Sequence, residues 1–184
     1  MRVVLDPAEI LDLAEVAARI EYAKRNFASR DWGVTSWTSR LYSLCAERCV
    51  AKSLGCEHDP VVLVGGDGHI DLWLPVGTPV GRSIEVRFRR QRQRDLATQG
   101  LRFWEELVAD IYVLVWPTHD GDWSPFDGFE IVGWATKQDF HQRIVSRPPI
   151  RMKGEKWEIP YSELRDFREL VSLSRGRVAQ ANRR

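Results

Sequence analysis

The fold is decided by the stretch from Gly65 to Arg94, which reads GGDGHIDLWLPVGTPVGRSIEVRFRRQRQR. Polar and apolar residues alternate on both sides of a connection that contains Gly77, Pro79 and Gly81. Alternation with a period of two is typical of strands, and glycine together with proline is typical of the turn between them. The stretch therefore predicts two strands joined by a turn and followed by a run of arginines.

The alternation also predicts which side chains share a face, because successive side chains of a strand point to opposite sides. The first strand has a polar face of Asp67, His69, Asp71 and Trp73 and an apolar face of Ile70, Leu72 and Leu74. The second has an apolar face of Ile84, Val86 and Phe88 and a polar face of Glu85, Arg87 and Arg89. We expect the polar faces to bring an aspartate, a glutamate and a cation together.

Length and composition predict one soluble, cytoplasmic domain. The chain has 184 residues, 43% of them hydrophobic, and eight tryptophans, which suffices for one core. The formal net charge is only +1, so no overall field attracts polyanions, although arginines cluster after the second strand and at the C-terminus. No apolar stretch is long enough to span a membrane, and an odd count of three cysteines fits a reducing compartment.

The rest of the chain predicts helices and strands around this pair. The expected helices run from Asp6 to about Ala28, from about Ser39 to Leu54 with Gly55 as C-terminal cap, from about Leu96 to Ala109, from Thr136 onward, and from Tyr161 to about Leu173. One further strand is expected to start at Val61. Two more are expected over Ile111–Trp116 and Phe129–Ala135. This order predicts a single α/β (α+β) domain over residues 1–174, with a central mixed β-sheet flanked by helices, and a basic tail over residues 175–184.

The strand pair carries a resemblance to a known superfamily. Asp71, followed by Glu85-x-Arg87 on the next apolar strand, resembles the core of the PD-(D/E)XK nuclease-like superfamily. The resemblance implies a restriction endonuclease-like αβββαβ core with N- and C-terminal helical extensions. It also implies that Asp71, Glu85 and the backbone carbonyl of Val86 bind Mg²⁺ or Mn²⁺. Arg87 replaces the motif lysine, and since arginine stays protonated it can stabilise charge on a phosphate but cannot act as a base.

The same resemblance implies further site residues. The helix that precedes the strands is similar to one that supplies an extra glutamate in many members, and here that residue is Glu47. The arginine run is expected to contact the DNA backbone through Arg89, Arg90, Gln91, Arg92, Gln93 and Arg94. A solvated helix start is the competing interpretation of the run.

The implied function is hydrolysis of DNA phosphodiester bonds by a metal-bound water, and the resemblance leaves a homodimer open. Because Arg87 replaces lysine, a DNA-binding or assembly module without catalysis is a second hypothesis. A third is a protein-interaction domain whose arginines meet an acidic partner. The structural alternative for Asp71 and Glu85 is an exposed, salt-bridged face of an edge hairpin.

Cysteine spacing raises one separate possibility. Cys45, Cys49, Cys56 and His58 follow one another along a helix and its C-terminal end. Thiolates and imidazole are zinc ligands, so this set is a candidate zinc or iron–sulfur site. Cysteine is also among the residues most often buried, so a role in the core is the competing interpretation.

Overall fold

The computed structural model describes residues 1–27, 37–58, 70–97, 107–140 and 158–175. The helices of these ranges are α1 (Pro7–Phe27), α2 (Trp37–Leu54) and α3 (Phe167–Arg175). The strands are β1 (Arg2–Val3), β2 (Leu72–Trp73), β3 (Ser83–Phe88), β4 (Leu96–Ala97), β5 (Ile111–Pro117), β6 (Phe129–Thr136) and β7 (Glu158–Ile159). Pro125–Asp127 and Tyr161–Glu163 form short 3-10 turns, and residues 137–140 begin a further helix.

The central sheet has five strands in the order β1–β6–β5–β3–β2. β3 and β5 run parallel, whereas the other neighbouring pairs run antiparallel. β4 and β7 form a separate antiparallel pair. The prediction of a mixed α/β fold, with a mixed sheet flanked by helices, is therefore confirmed.

The central strand β5 is buried along its whole length, as its continuous apolar sequence predicts. Ile111, Val113 and Val115 belong to a hydrophobic cluster that includes residues of α1, α2 and α3. A second cluster consists mainly of Leu96, Leu107, Tyr112, Leu114, Trp116, Phe140 and Ile159. β5 is thus covered on both faces, and β3 contributes Ile84 and Val86 to the first cluster.

The predicted start of the first helix and the predicted end of the second are confirmed, whereas the second helix begins at Trp37, two residues earlier than predicted. The Ala8 amide donates to the Asp6 carboxylate (2.8 Å), and the Asp6 amide donates to the Glu9 carboxylate (3.0 Å), which is a capping box. α2 ends at Leu54, and Gly55 follows with a φ of 70°, a left-handed conformation that costs glycine little. This turn directs the chain back across α2 towards the sheet.

The predicted helix from Leu96 to Ala109 is wrong at both ends. Leu96 and Ala97 form β4, and residues 107–109 are not helical. Leu96 pairs with Ile159, and both are buried in the second cluster. A strand pairing more than sixty residues apart in sequence therefore overrides a local helical pattern. The central part of the predicted helix lies outside the described residues.

The last helix begins later than predicted. α3 starts at Phe167 rather than Tyr161, because the Asp166 carboxylate accepts the Arg168 amide (2.9 Å) and caps the first turn. Its last residue is Arg175, which the prediction assigned to the tail. The capped start at Thr136 is confirmed, since the Asp139 carboxylate accepts the Thr136 amide (2.7 Å) and the Thr136 hydroxyl accepts the Asp139 amide (3.2 Å).

Other predicted features lie outside the described residues. They are the strand start at residues 61–64, the polar-face positions Asp67 and His69, and the tail from residue 176 onward. Within the described ranges, none of the helices is long and apolar enough to cross a membrane.

Candidate functional site

The predicted division of faces on β2 is confirmed. Leu72 and Leu74 are each 1% exposed and belong to the first hydrophobic cluster, whereas Trp73 between them is 57% exposed. β2 pairs with β3 through Leu72 opposite Ile84 and Trp73 opposite Ser83. Asp71 immediately precedes β2 and lies beside the centre of β3.

The Asp71 side chain completes the backbone hydrogen bonding of β3. Its carboxylate accepts the Val86 amide (2.6 Å), and its own amide donates to the Ile84 carbonyl (2.8 Å). Backbone groups two residues apart point to the same edge of a strand, so the Val86 carbonyl faces this edge as the Ile84 carbonyl does. The carboxylate of Asp71 and the backbone of Val86 thus meet at the edge of the sheet.

Glu85 lies on the opposite face of β3 from Val86 and is only 4% exposed. It forms an ion pair with Arg87, two residues further along the same face. Tyr112 lies opposite Glu85 on β5, and burial together with the Glu85 charge raises the pKa of its phenol. Glu85 is therefore buried with its charge compensated by Arg87, and the interpretation of an exposed salt-bridged face is wrong for Glu85.

Glu47 contacts a partner that sequence reasoning did not assign to it. Its carboxylate oxygen lies 3.1 Å from the His58 Nε2 atom, and the two side chains are 13% and 1% exposed. The left-handed turn at Gly55 returns the chain so that His58 reaches back to α2. From the sequence, His58 was grouped with the cysteines instead, because the local pattern does not show that the chain turns back after Gly55.

One cavity of about 790 Å³ brings these groups together. It lies between α2, the segment that follows α2, and the β2–β3 edge. Its charged and imidazole side chains are Arg40, Glu47, Glu57, His58, Asp71, Arg82, Glu85 and Arg87, and Val86 and Trp73 also line it. This lining includes all the residues predicted for the catalytic and metal-binding site, namely Asp71, Glu85, Val86, Arg87 and Glu47.

The donors in the cavity match the chemistry of Mg²⁺ or Mn²⁺. Hard divalent cations prefer oxygen ligands, and Mg²⁺ often takes one or two carboxylates and completes its shell with water. Asp71, Glu85 and the Val86 carbonyl supply such donors on neighbouring strands. Among the described residues, no group of three or more His, Cys, Asp or Glu side chains is arranged to hold a metal ion.

The arginine run forms an irregular turn rather than a helix, so the interpretation of a solvated helix start is wrong. The Arg89 guanidinium donates to the Ala97 carbonyl (2.9 Å). The Arg92 guanidinium donates to the Thr118 carbonyl (2.6 Å) and forms an ion pair with Glu130 (2.7 Å). Both side chains thus hold the turn against neighbouring strands.

The remaining members of the run are closer to solvent. The Arg94 guanidinium donates to the Gln91 side-chain oxygen (2.9 Å and 3.0 Å), and Gln93 adopts a left-handed φ of 58°. Arg90 is exposed, with its guanidinium 5.9 Å from the centre of the Tyr42 ring. The prediction that the run contacts DNA therefore concerns chiefly Arg90 and Arg94, since they are the arginines of the run on the surface.

The burial of the cysteines favours the interpretation that they have a role in the core. Cys45 and Cys49 are fully buried in the first hydrophobic cluster. Burial raises the pKa of the Cys45 thiol to about 12 and also raises the pKa of Cys49 and of Cys56. Zinc requires thiolates, which this environment disfavours. In the described ranges these cysteines and His58 do not form a ligand cluster.

Comparisons of the chain with models of protein families, with curated proteins and with solved structures found no match. The resemblance to the PD-(D/E)XK superfamily therefore remains a prediction that depends on Asp71, Glu85 and Arg87. The chemistry of the cavity has to be argued from its own side chains.

Proposed function

We propose that the protein is a divalent-metal-dependent nuclease that hydrolyses DNA phosphodiester bonds. The observation that carries this proposal is the shared cavity, in which Asp71, the Val86 backbone and the Glu85–Arg87 pair lie on two adjoining strands. Two carboxylates beside a permanently charged guanidinium suit a site for a cation and a phosphate together.

Each side chain has a defined part in this proposal. Asp71 and Glu85, with the Val86 carbonyl, are the groups that would hold Mg²⁺ or Mn²⁺. The bound ion would supply a Lewis acid and lower the pKa of water at the phosphate. Arg87 compensates the buried Glu85 charge and offers N–H donors to a phosphate oxygen, but it takes up no proton. Glu47 acts through His58, whose ring it holds in place at the wall of the cavity.

Cleavage assays test the proposal directly. Purified protein is incubated with single-stranded, duplex and plasmid DNA in Mg²⁺, Mn²⁺ or chelator. Asp71→Asn and Glu85→Gln keep the shape of each side chain but remove its charge, and each is expected to reduce cleavage on the order of 100-fold or more. Asp122→Asn, an exposed acid outside the cavity, is the matched control and should cleave like the wild type.

Metal-dependent cleavage that persists in both carboxylate variants would contradict the proposed mechanism. The ion pair between Arg87 and Glu85 favours a second candidate, a nuclease-like DNA-binding or assembly module without catalysis. In this ion pair, one Glu85 carboxylate oxygen contacts an arginine that stays protonated. DNA binding in chelator, with no cleavage in any metal and no change in Glu85→Gln, would support this second candidate.

A further inference from the structure

Trp73 is a large aromatic side chain that the fold leaves exposed at the cavity. Its neighbours Leu72 and Leu74 point into the core, so strand alternation forces the indole outward. A single exposed aromatic residue needs no explanation by itself. Its surroundings are what make Trp73 informative.

Arg82 is fixed beside this indole. Its guanidinium carbon lies 5.8 Å from the centre of the Trp73 ring, and its Nε donates to the Leu74 carbonyl (3.1 Å). Its backbone amide donates to the Asp110 carboxylate (2.8 Å). The aromatic ring and the cation are therefore held together before any ligand arrives, which reduces the entropy lost on binding.

The pair also lies beside the proposed reaction site. Trp73 is two residues from Asp71 along the chain, a separation of roughly 7 Å for an extended backbone. Trp73 and Arg82 are exposed at the cavity, as is Glu57, whereas Glu85 and His58 are buried in its wall. A strand whose phosphate lies near Asp71 would therefore bring one of its bases to the indole and its backbone to Arg82.

We propose that Trp73 and Arg82 form a stacking site for one unpaired base, so that the substrate is single-stranded DNA or an unpaired end. Aromatic side chains stack on bases of any sequence, and arginine adds contacts to the phosphate backbone. Bases inside a duplex are stacked on one another and must be extruded first, which costs free energy. This substrate class rests on the proposed nuclease function, whereas the binding of the strand does not.

Binding measured without cleavage separates the two claims. Fluorescence anisotropy in chelator at low salt gives the affinity for a labelled single-stranded oligonucleotide and for a blunt duplex of the same sequence. Trp73→Ala is expected to weaken single-strand binding by about 5-fold to about 100-fold and to change duplex binding less. Trp73→Phe keeps an aromatic ring and should retain most of the affinity. Phe126→Ala removes a comparably exposed ring outside the cavity and is the control.

Circular dichroism of each variant confirms that it is folded, and sedimentation reports any change of oligomeric state. An affinity that is the same in Trp73→Ala and wild type, or that falls equally for single strand and duplex, overturns the inference. So does dimerisation that depends on Trp73 with no oligonucleotide binding. Trp73-dependent binding without cleavage in any metal would leave the inference intact and reject the nuclease, and cleavage that is independent of Trp73 would do the reverse.

Discussion

The cavity and the arginine run both concentrate charge, yet they use it in opposite ways. In the cavity, Asp71, Glu85 and Arg87 come from neighbouring strands and line one open space. In the run, Arg89 and Arg92 donate to backbone carbonyls of their own fold. The difference arises because a strand directs alternate side chains to one face, whereas this irregular turn directs Arg89 and Arg92 onto neighbouring backbone.

This difference shows that a cluster of arginines in a sequence does not by itself define a binding surface. The carbonyls at the end of β5 need donors once the strand stops, and Arg92 supplies them. The cavity is the stronger candidate because its charged side chains line one open space, and they are not bound to backbone groups alone. Substitutions in the two regions should therefore differ in what they impair.

The largest effect on stability is expected at the buried ion pair of the cavity. Arg87→Met leaves the Glu85 carboxylate without this cation and should lower the free energy of unfolding by about 3 kcal/mol. The double variant Glu85→Gln/Arg87→Met should recover most of that loss, because no buried charge remains. Urea denaturation of both variants measures this, and a single variant as stable as the wild type would contradict the buried pairing.

In the arginine run, the comparison is between Arg92 and Arg90. Arg92→Met removes a charged donor from two carbonyls and an ion pair, and should lower the free energy of unfolding by about 2 kcal/mol. Arg90→Met removes an exposed side chain and should change it by less than about 0.5 kcal/mol. If Arg90 contacts phosphate, the slope of log K for DNA binding against log salt concentration should be smaller in Arg90→Met, by about one phosphate contact. Equal stability of the two variants would show that Arg92 is not structural.

An effect smaller than those of Arg87→Met and Arg92→Met is expected at Asp110, whose carboxylate accepts the amides at the start of β3. Burial raises the pKa of this carboxyl, but the amides of Arg82 and Ser83 and the Ser83 hydroxyl outweigh it, so the pKa lies below its ordinary value of 3.8. A lowered pKa stabilises the folded state above the unfolded pKa and loses that contribution as the pH falls through the folded value. Asp110→Asn should therefore be about 1 kcal/mol less stable at neutral pH.

The stability difference between wild type and Asp110→Asn should shrink as the pH falls below about 4. Thermal unfolding at several pH values measures it. A difference that stays constant between neutral and acidic pH would mean that the charge of Asp110 does not contribute.

Local signals in the sequence were sufficient for some of these features. The capping residues of α1 and the alternation around Trp73 follow from contacts within a few residues. β4 was missed because Leu96 pairs with a residue far along the chain. The contact between Glu47 and His58 was missed for a related reason, since it depends on the path taken after Gly55.

The hydrogen bond from the Val86 amide to Asp71 also has a consequence for the integrity of the fold. An edge strand with open amides can recruit a strand from another molecule, and here a carboxylate occupies that position. Replacing Asp71 by alanine would uncover the amide and favour aggregation, whereas asparagine would keep an acceptor in place. Inactivity of an alanine variant could then reflect self-association, so the asparagine and Glu85 variants give the cleaner chemical evidence.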